Sequence, residues 1–341
     1  MRNENEEEKL TPEDFERVTI DAHHSERIEK PSLSFWQDAW LGLRKNKAAI
    51  VSMVVLLLVI LMALIGPYLN GHAGDSQNLR HANLPPKIPG IEATGFFDGD
   101  GKLAGKTVNL YEMKKVDEYY WFGTDGLGRD LFTRLWEGTR VSLFIAFVAA
   151  AIDMVIGVAY GGISGYFGGR TDDIMQRVVE ILIGIPTLIV VILMIMIMDP
   201  GITAIIVAIT ITGWIGMSRI VRAQTLKYKS REFVLASRTL GAKDGKIITK
   251  HLLPNMLGII IINTMFTIPN AIFFEAFLSF IGIGLQPPAA SLGTLINDGY
   301  KVMENQPYVL LFPAIVISVL MIAFNLIGDG LRDALDPKMK D

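Results

Sequence analysis

The sequence predicts an all-α integral membrane protein with six transmembrane helices and a small extracellular subdomain between helices 1 and 2. Three observations lead there. Half of the 341 residues are hydrophobic, and the mean hydropathy is positive although 20% of the residues are charged. The apolar residues gather into runs close to the roughly 20 residues a helix needs to cross a bilayer. Basic residues crowd alternate connections between these runs, the asymmetry that fixes orientation in multi-pass chains.

In order, the spans are Ala48 to Leu69, Val141 to Tyr160, Val178 to Met198, Ile202 to Ile220, Leu257 to Phe277, and Val309 to Ile327. Residues 1–47 form a tail that is polar and Glu-rich before Pro31, and Ser34 to Leu43 places Phe35, Trp36, Ala39 and Trp40 in a candidate interfacial helix. The first apolar run starts only at Ala48 after a charged stretch, so it reads as a retained anchor at 48–69 and not as a cleavable signal. Arg44, Lys45 and Lys47 flank it. Arg170 and Arg177 follow the second span, and Lys and Arg outnumber Glu232 and Asp244 in the connection at 220–255. These connections belong to the cytoplasmic side of a cell (plasma) membrane protein, which puts both termini there. The opposite connections fit: Asp199-Pro200-Gly201 has no basic residue, and Gln286 to Pro307 has only Lys301.

Residues 70–137 form the extracellular segment, too long for the charge rule to apply. Its turns at Leu84-Pro85-Pro86 and Asp98-Gly99-Asp100-Gly101, with alternation from Thr107 to Leu110, predict short strands. Residues 138–341 are the core. The absence of cysteine excludes a disulfide framework and a thiolate metal site.

The most informative stretch is the basic connection, which ends V-L-A-S-R-T-L-G-A-K-D-G-K-I-I-T-K-H-L-L-P-N at Asn255. Phe233, Ala236 and Leu240 recur at helical spacing, and Gly241 suits the end of a short helix. A surface helix with an apolar stripe needs a partner; a membrane-surface helix held by anionic headgroups is the plainer alternative. The string resembles the cytoplasmic coupling loop of ATP-binding-cassette (ABC) importer permeases: E-A-A, three residues, Gly, then nine or more residues ending in I/L-x-L-P. Ala236, Ser237, Gly241, Leu253 and Pro254 are its anchors. Leu235 stands where that family has Glu, and Glu232 lies one turn earlier. The resemblance implies that Glu232, Phe233, Ala236, Ser237, Arg238, Leu240, Gly241 and Ala242 couple to ATPases.

A second motif, W-F-G-T-D-G-L-G-R-D-L-F-T-R from Trp121 to Arg134, has its own physical reading. Thr124 and Asp125 suit a side-chain-closed turn, and Asp130 suits the N-cap of a helix starting at Leu131. It resembles the F/L-G-T-D-x-x-G-R-D-x-x-S/T-R signature of the oligopeptide, dipeptide and nickel branch of these permeases. A structural role and contact with an external binding protein are both open to it. With G-G-R-T-D-D-I-M-Q-R at Gly168, G-W-I-G-M-S-R-I-V-R at Gly213, E-A-F-L-S-F-I-G-I-G at Glu275 and G-D-G-L-R-D-A-L-D-P at Gly328, the match is nearly continuous to the C-terminus. Together these look like the oligopeptide permease C-type subunit, with a type I ABC importer permease-like fold. That family implies a heterodimer with a homologous permease subunit, two cytoplasmic ATPase subunits carrying ATP and Mg, an extracellular peptide-binding protein, and a lipid bilayer. Dipeptides or nickel are the alternative substrates within the branch.

No cofactor, enzymatic activity or nucleic acid partner is expected for the chain itself. Gly241-Ala242-Lys243-Asp244-Gly245-Lys246 has one residue too few for a phosphate-binding loop and Ile247 where a hydroxyl is needed. Asp98, Asp100 and Glu112 miss the spacing of a calcium loop. Inside the spans, Asp153, Asn263 and Glu275 are candidates for the pathway or for helix contacts. Pro186, Pro269 and Pro313 are candidate kinks, and Glu275 to Leu285 is a candidate re-entrant segment. An ion-coupled secondary transporter is the rival class, but it calls for inverted repeats and several midplane titratable groups, of which Asp153 is the one deep in a span.

Overall fold

Ser34 caps the first helix, α1 (Phe35–Lys45): its hydroxyl accepts from the Gln37 N–H at 3.4 Å while Gln37 Oε1 accepts from the Ser34 N–H at 3.0 Å, a reciprocal capping box. The computed structural model of the protein describes residues 34–92, 97–103 and 106–335. The Glu-rich tail before Pro31 and the end of the motif reaching Pro337 lie outside them. Asn46 ends α1 and caps α2 (Lys47–Ile65) through a 3.1 Å bond from the Ala49 N–H. Trp36 and Trp40 stay exposed on α1, whose other side packs on the last helix through Leu43 and Ala334, with Ala49 of α2 in the same cluster.

Between α2 and the next long helix lies a small subdomain with an antiparallel pair, β1 (Asp100–Leu103) and β2 (Lys106–Asn109), in the register Asp100↔Asn109 to Leu103↔Lys106. The short α3 (Leu110–Lys114) follows. Strands were expected here, and the hairpin is what the structure has. Its core is Leu84, Tyr111, Val116 and Tyr120. Burial raises the ionisation of the Tyr111 hydroxyl above the ordinary tyrosine range, so it remains a donor to the Pro85 carbonyl at 2.8 Å.

Asp130 then starts α4 (Leu131–Phe167) by accepting the Thr133 N–H at 2.7 Å, as its position in the motif predicts. The helix begins ten residues before the apolar run at Val141 and spans about 55 Å, well beyond the roughly 30 Å hydrocarbon layer. α5 (Gly169–Gly184) and α6 (Thr187–Met198) follow, then α7 (Ile202–Tyr228). α4 lies against α7 along a ridge of Gly157, Gly161 and Gly165. A Cβ on Gly157 would come 2.8 Å from the Trp214 carbonyl oxygen, and one on Gly165 would come 2.8 Å from that of Arg222. Small residues four apart let helix backbones approach in this way, and van der Waals packing then holds them together in lipid.

The third predicted span, Val178 to Met198, is not one straight helix. α5 and α6 meet at 84°. Pro186 has no N–H to continue the ladder, and Ile185 before it is held extended at φ −90°, ψ 122°. The bent pair counts as one candidate span beside five straight ones at Lys47–Tyr68, Leu131–Phe167, Ile202–Tyr228, Asp244–Phe280 and Pro307–Leu335. Among the described residues this gives five candidate spans, or six with the bent pair taken as one broken span.

After α7 come two short helices, α8 (Glu232–Thr239) and α9 (Asp244–Ile247), and a π-helical turn at Ile248–Leu252. α10 (Leu253–Phe280), α11 (Leu292–Val302) and α12 (Pro307–Leu335) complete the chain. α10 runs through both Pro269 and Glu275, so the re-entrant reading of Glu275 to Leu285 is corrected: the helix continues to Phe280 and the chain turns only afterwards. The main core joins Ala146 and Ala149 of α4 to Ile205 and Ala208 of α7, Ile272 of α10, and Leu320 and Phe324 of α12.

Candidate functional site

α8 stands clear of the helical bundle at the end where α4 and α7 finish. Its mount is specific. Val234 is fully buried and packs with Tyr166, Met217, Val221, Ile247 and Leu252. The Tyr166 hydroxyl donates to Asp244 Oδ1 at 2.6 Å, and the Arg238 guanidinium lies over the Tyr166 ring at 5.4 Å. Beneath, Arg222 grips Asp172 with two bonds of 2.7 and 2.5 Å, and Lys229 donates to the Gly165 carbonyl at 2.9 Å. α8 is thus in contact with α4 and α7, and α7 in turn is tied to α5 through the Arg222–Asp172 pair.

The C-terminal end of α8 is closed by a Schellman arrangement. The Gly241 N–H bonds the Arg238 carbonyl at 2.9 Å, and the Ala242 N–H bonds that of Ser237 at 3.1 Å. Gly241 has φ +79°, a region that costs a side chain about 1–2 kcal/mol. Glu232 occupies the first turn, where its charge complements the helix dipole. Ser237 returns its hydroxyl to the Phe233 carbonyl at 2.8 Å, and Ala242 turns back toward the cluster around Val234. Beside the exposed polar residues Glu232, Arg238 and Thr239, an apolar surface faces outward: Phe233 is 39% exposed, Leu235 47% and Leu240 87%, with Ala236 between them.

Of the eight residues named for this loop, Glu232, Phe233, Ala236, Ser237 and Arg238 lie on α8, and Leu240, Gly241 and Ala242 form the turn that closes it. Sequence reasoning missed Val234, because the run Phe233-Val234-Leu235 does not say which side chain faces the bundle. It also missed the mount beneath, Tyr166 with Asp244 and Arg222 with Asp172, since these pairs lie far apart in sequence. The glycine ridge was missed as well, although its repeat of four at 157, 161 and 165 is a signal the sequence carries.

The intramembrane candidates separate. Asp153 and Asn263 face one cavity of about 470 Å³ between α4, α6, α7 and α10, with Thr212, Thr267 and Asn270 also on its wall. Glu275 does not line it. Glu275 is fully buried and accepts from Ser142 and Ser279, each at 2.8 Å, while Ser142 Oγ accepts the Leu292 N–H at 3.1 Å. This knot ties α4 to α10 and to the start of α11.

At the opposite end, the 121–134 motif forms a closed turn. Asp125 accepts the N–H groups of Leu127 and Arg129 at 2.9 and 3.0 Å and the Arg129 side chain at 2.7 Å, and Arg134 approaches it at 3.8 Å. All four charged members, Asp125, Arg129, Asp130 and Arg134, are buried.

Residues 157–341 match the model of the binding-protein-dependent transport system inner membrane component, and residues 34–86 match that of the N-terminal TM domain of oligopeptide transport permease C. The chain is 48% identical to the dipeptide transport system permease protein DppC of Bacillus subtilis, over 93% of this chain and 90% of the relative. It is 44% identical to the oligopeptide transport system permease protein OppC of the same organism, over 96% of this chain and 97% of the relative. A solved inward facing structure of the MetNI methionine ABC transporter shares the fold, with a TM-score of 0.50 at 22% identity over 60% of this chain and 97% of that chain. With nearly its whole length matched at such identity, the chain is a multi-pass ABC importer permease and belongs to the family of binding-protein-dependent transport system inner membrane components.

Proposed function

We propose that this chain is one of two permease subunits of an ATP-driven peptide importer, and that α8 carries the motion of cytoplasmic ATPases into the membrane helices. The observation that carries this reading is an exposed apolar helix on a rigid mount: Phe233, Leu235 and Leu240 face outward while Val234 anchors the helix to the bundle. A helix lying only on lipid headgroups needs no such anchor. The relatives named for dipeptide and oligopeptide transport support a peptide as substrate.

In this reading α8 and both termini face the cytoplasm, in line with Arg44, Lys45, Lys47, Arg170 and Arg177. ATP and Mg reside on two partner ATPases. The second half of the pathway comes from a homologous permease, and an extracellular peptide-binding protein delivers the substrate to the end that carries the 121–134 motif. ATP-driven closure of the ATPases moves α8, and through Val234, Tyr166 and the Arg222–Asp172 pair it tilts α4, α5 and α7 around the central cavity.

The test is co-purification. The chain is expressed with its genomic neighbours, and the proteins retained by the native chain are compared with those retained by Gly241→Asp. A Cβ at Gly241 meets no atom within 4 Å, so the variant places a charge and local backbone strain beside the apolar surface without a steric clash, and its membrane insertion is measured alongside. Two ATPases held by the native chain and lost from the inserted variant support the reading. A well-folded native chain that retains no ATPase rejects it.

A further inference from the structure

Asp153 places an ionisable group inside a span, where carboxylates are rare and face a cavity or a polar partner. It is 3% exposed, its Oδ1 is buried without a hydrogen-bond partner, and no ion pair among the described residues includes it. Gly213 on α7 makes room for it: a Cβ there would come 2.8 Å from the carboxylate carbon. The carboxylate therefore lies against the α7 backbone on the wall of the 470 Å³ cavity. Opposite, on α10, the Thr267 hydroxyl donates to the Asn263 carbonyl at 3.0 Å and an Asn263 amide N–H donates to the Ile259 carbonyl at 2.7 Å. With its one donor so engaged, Thr267 offers the cavity lone pairs only.

We propose that this cavity contains a subsite for the amino-terminal ammonium of a peptide in transit, with Asp153 as its counter-ion. The proposal rests on the peptide-importer reading above. An ammonium brings one positive charge and three N–H donors, the complement of an orphan carboxylate oxygen with further acceptors nearby. A divalent metal requires several charged or imidazole ligands, and no group of three or more His, Asp or Glu that would hold one comes together among the described residues. The volume falls within the range of about 300–1,000 Å³ in which pockets enclose small organic ligands.

The test compares trialanine with propanoyl-Ala-Ala, which has the same length and no ammonium. The whole transporter is reconstituted in proteoliposomes, and each peptide is loaded to saturation on the delivering protein, with loading measured separately. The native complex is expected to import trialanine roughly 10-fold or more faster than the neutral analogue. Asp153→Asn, with its subunits retained, is expected to bring the two rates together by slowing trialanine. A variant that keeps the native preference, or slows both peptides equally, overturns the subsite and leaves the importer reading standing. Loss of the partner permease from the variant assigns Asp153 to subunit pairing and also overturns it. Should the variant not fold, the native complex alone decides, because equal import of the two peptides overturns the subsite. A native complex that imports no peptide overturns the importer reading and the subsite together.

Discussion

The two ends of the molecule handle their matched motifs in opposite ways. The 121–134 turn buries its charges: Asp125, Arg129, Asp130 and Arg134 bond to one another, to the backbone and to Asn70, whose amide donates to Asp130 at 2.6 Å. α8 exposes its apolar residues, with Leu240 at 87%. A motif whose charges are buried and paired largely within the chain, with only Asp130 Oδ1 and Arg134 Nε left without a hydrogen bond, is suited to a structural purpose. One whose apolar groups lie open leaves a surface that, on the proposed reading, a partner ATPase covers. On the same reading, the difference separates a part of the signature that builds this subunit from a part that meets another.

Substitutions in the two regions are expected to diverge accordingly. Asp125→Ala leaves Arg129 and Arg134 buried without their carboxylate and should destabilise the folded protein by about 3–5 kcal/mol, seen as the largest fall in thermal midpoint and in monodisperse yield. If stability is unchanged, the turn is not the structural element described here. Val234→Ala removes the anchor of α8 and should cost about 2 kcal/mol, concentrated locally. Limited proteolysis of residues 229–243 is then expected to accelerate while the rest of the bundle keeps its protection. Asp130→Ala removes the cap of α4 at a cost of about 1 kcal/mol, and the molecules that fold should retain their ATPases. Leu240→Ser is expected to leave stability within about 0.5 kcal/mol and yet to lose the ATPases. A Leu240→Ser chain that keeps them at native yield would remove the distinction between the two ends.

Much of the fold was legible because lipid imposes length and composition on every span. Ile202 to Ile220 falls within the observed helix Ile202–Tyr228, and Ala48 to Leu69 overruns Lys47–Tyr68 by one residue, for that reason. Helix starts set by polar caps were less so: Asp130 was recognised as a cap, but the apolar run at Val141 still fixed the predicted span ten residues late. The break at Pro186 was marked as a candidate kink, while its 84° size depends on how α5 and α6 pack. For the site, the outward residues of α8 were accessible from spacing and from the family resemblance. Val234 and the pairs Tyr166–Asp244 and Arg222–Asp172 were not, because contacts across 50 to 78 residues leave no local signature. Asp153 and Asn263 were singled out as polar residues in apolar spans, and only the fold shows that they share a cavity while Glu275 closes a separate knot.

The absence of cysteine from the sequence makes one measurement especially direct. Leu240→Cys and, at the opposite end, Lys301→Cys on α11 each provide a single thiol in this chain for a photoactivated cross-linker in the assembled transporter. Coupling through α8 predicts an adduct to an ATPase from position 240 and none from position 301. No ATPase adduct from 240, or equal adducts from both positions, would contradict it.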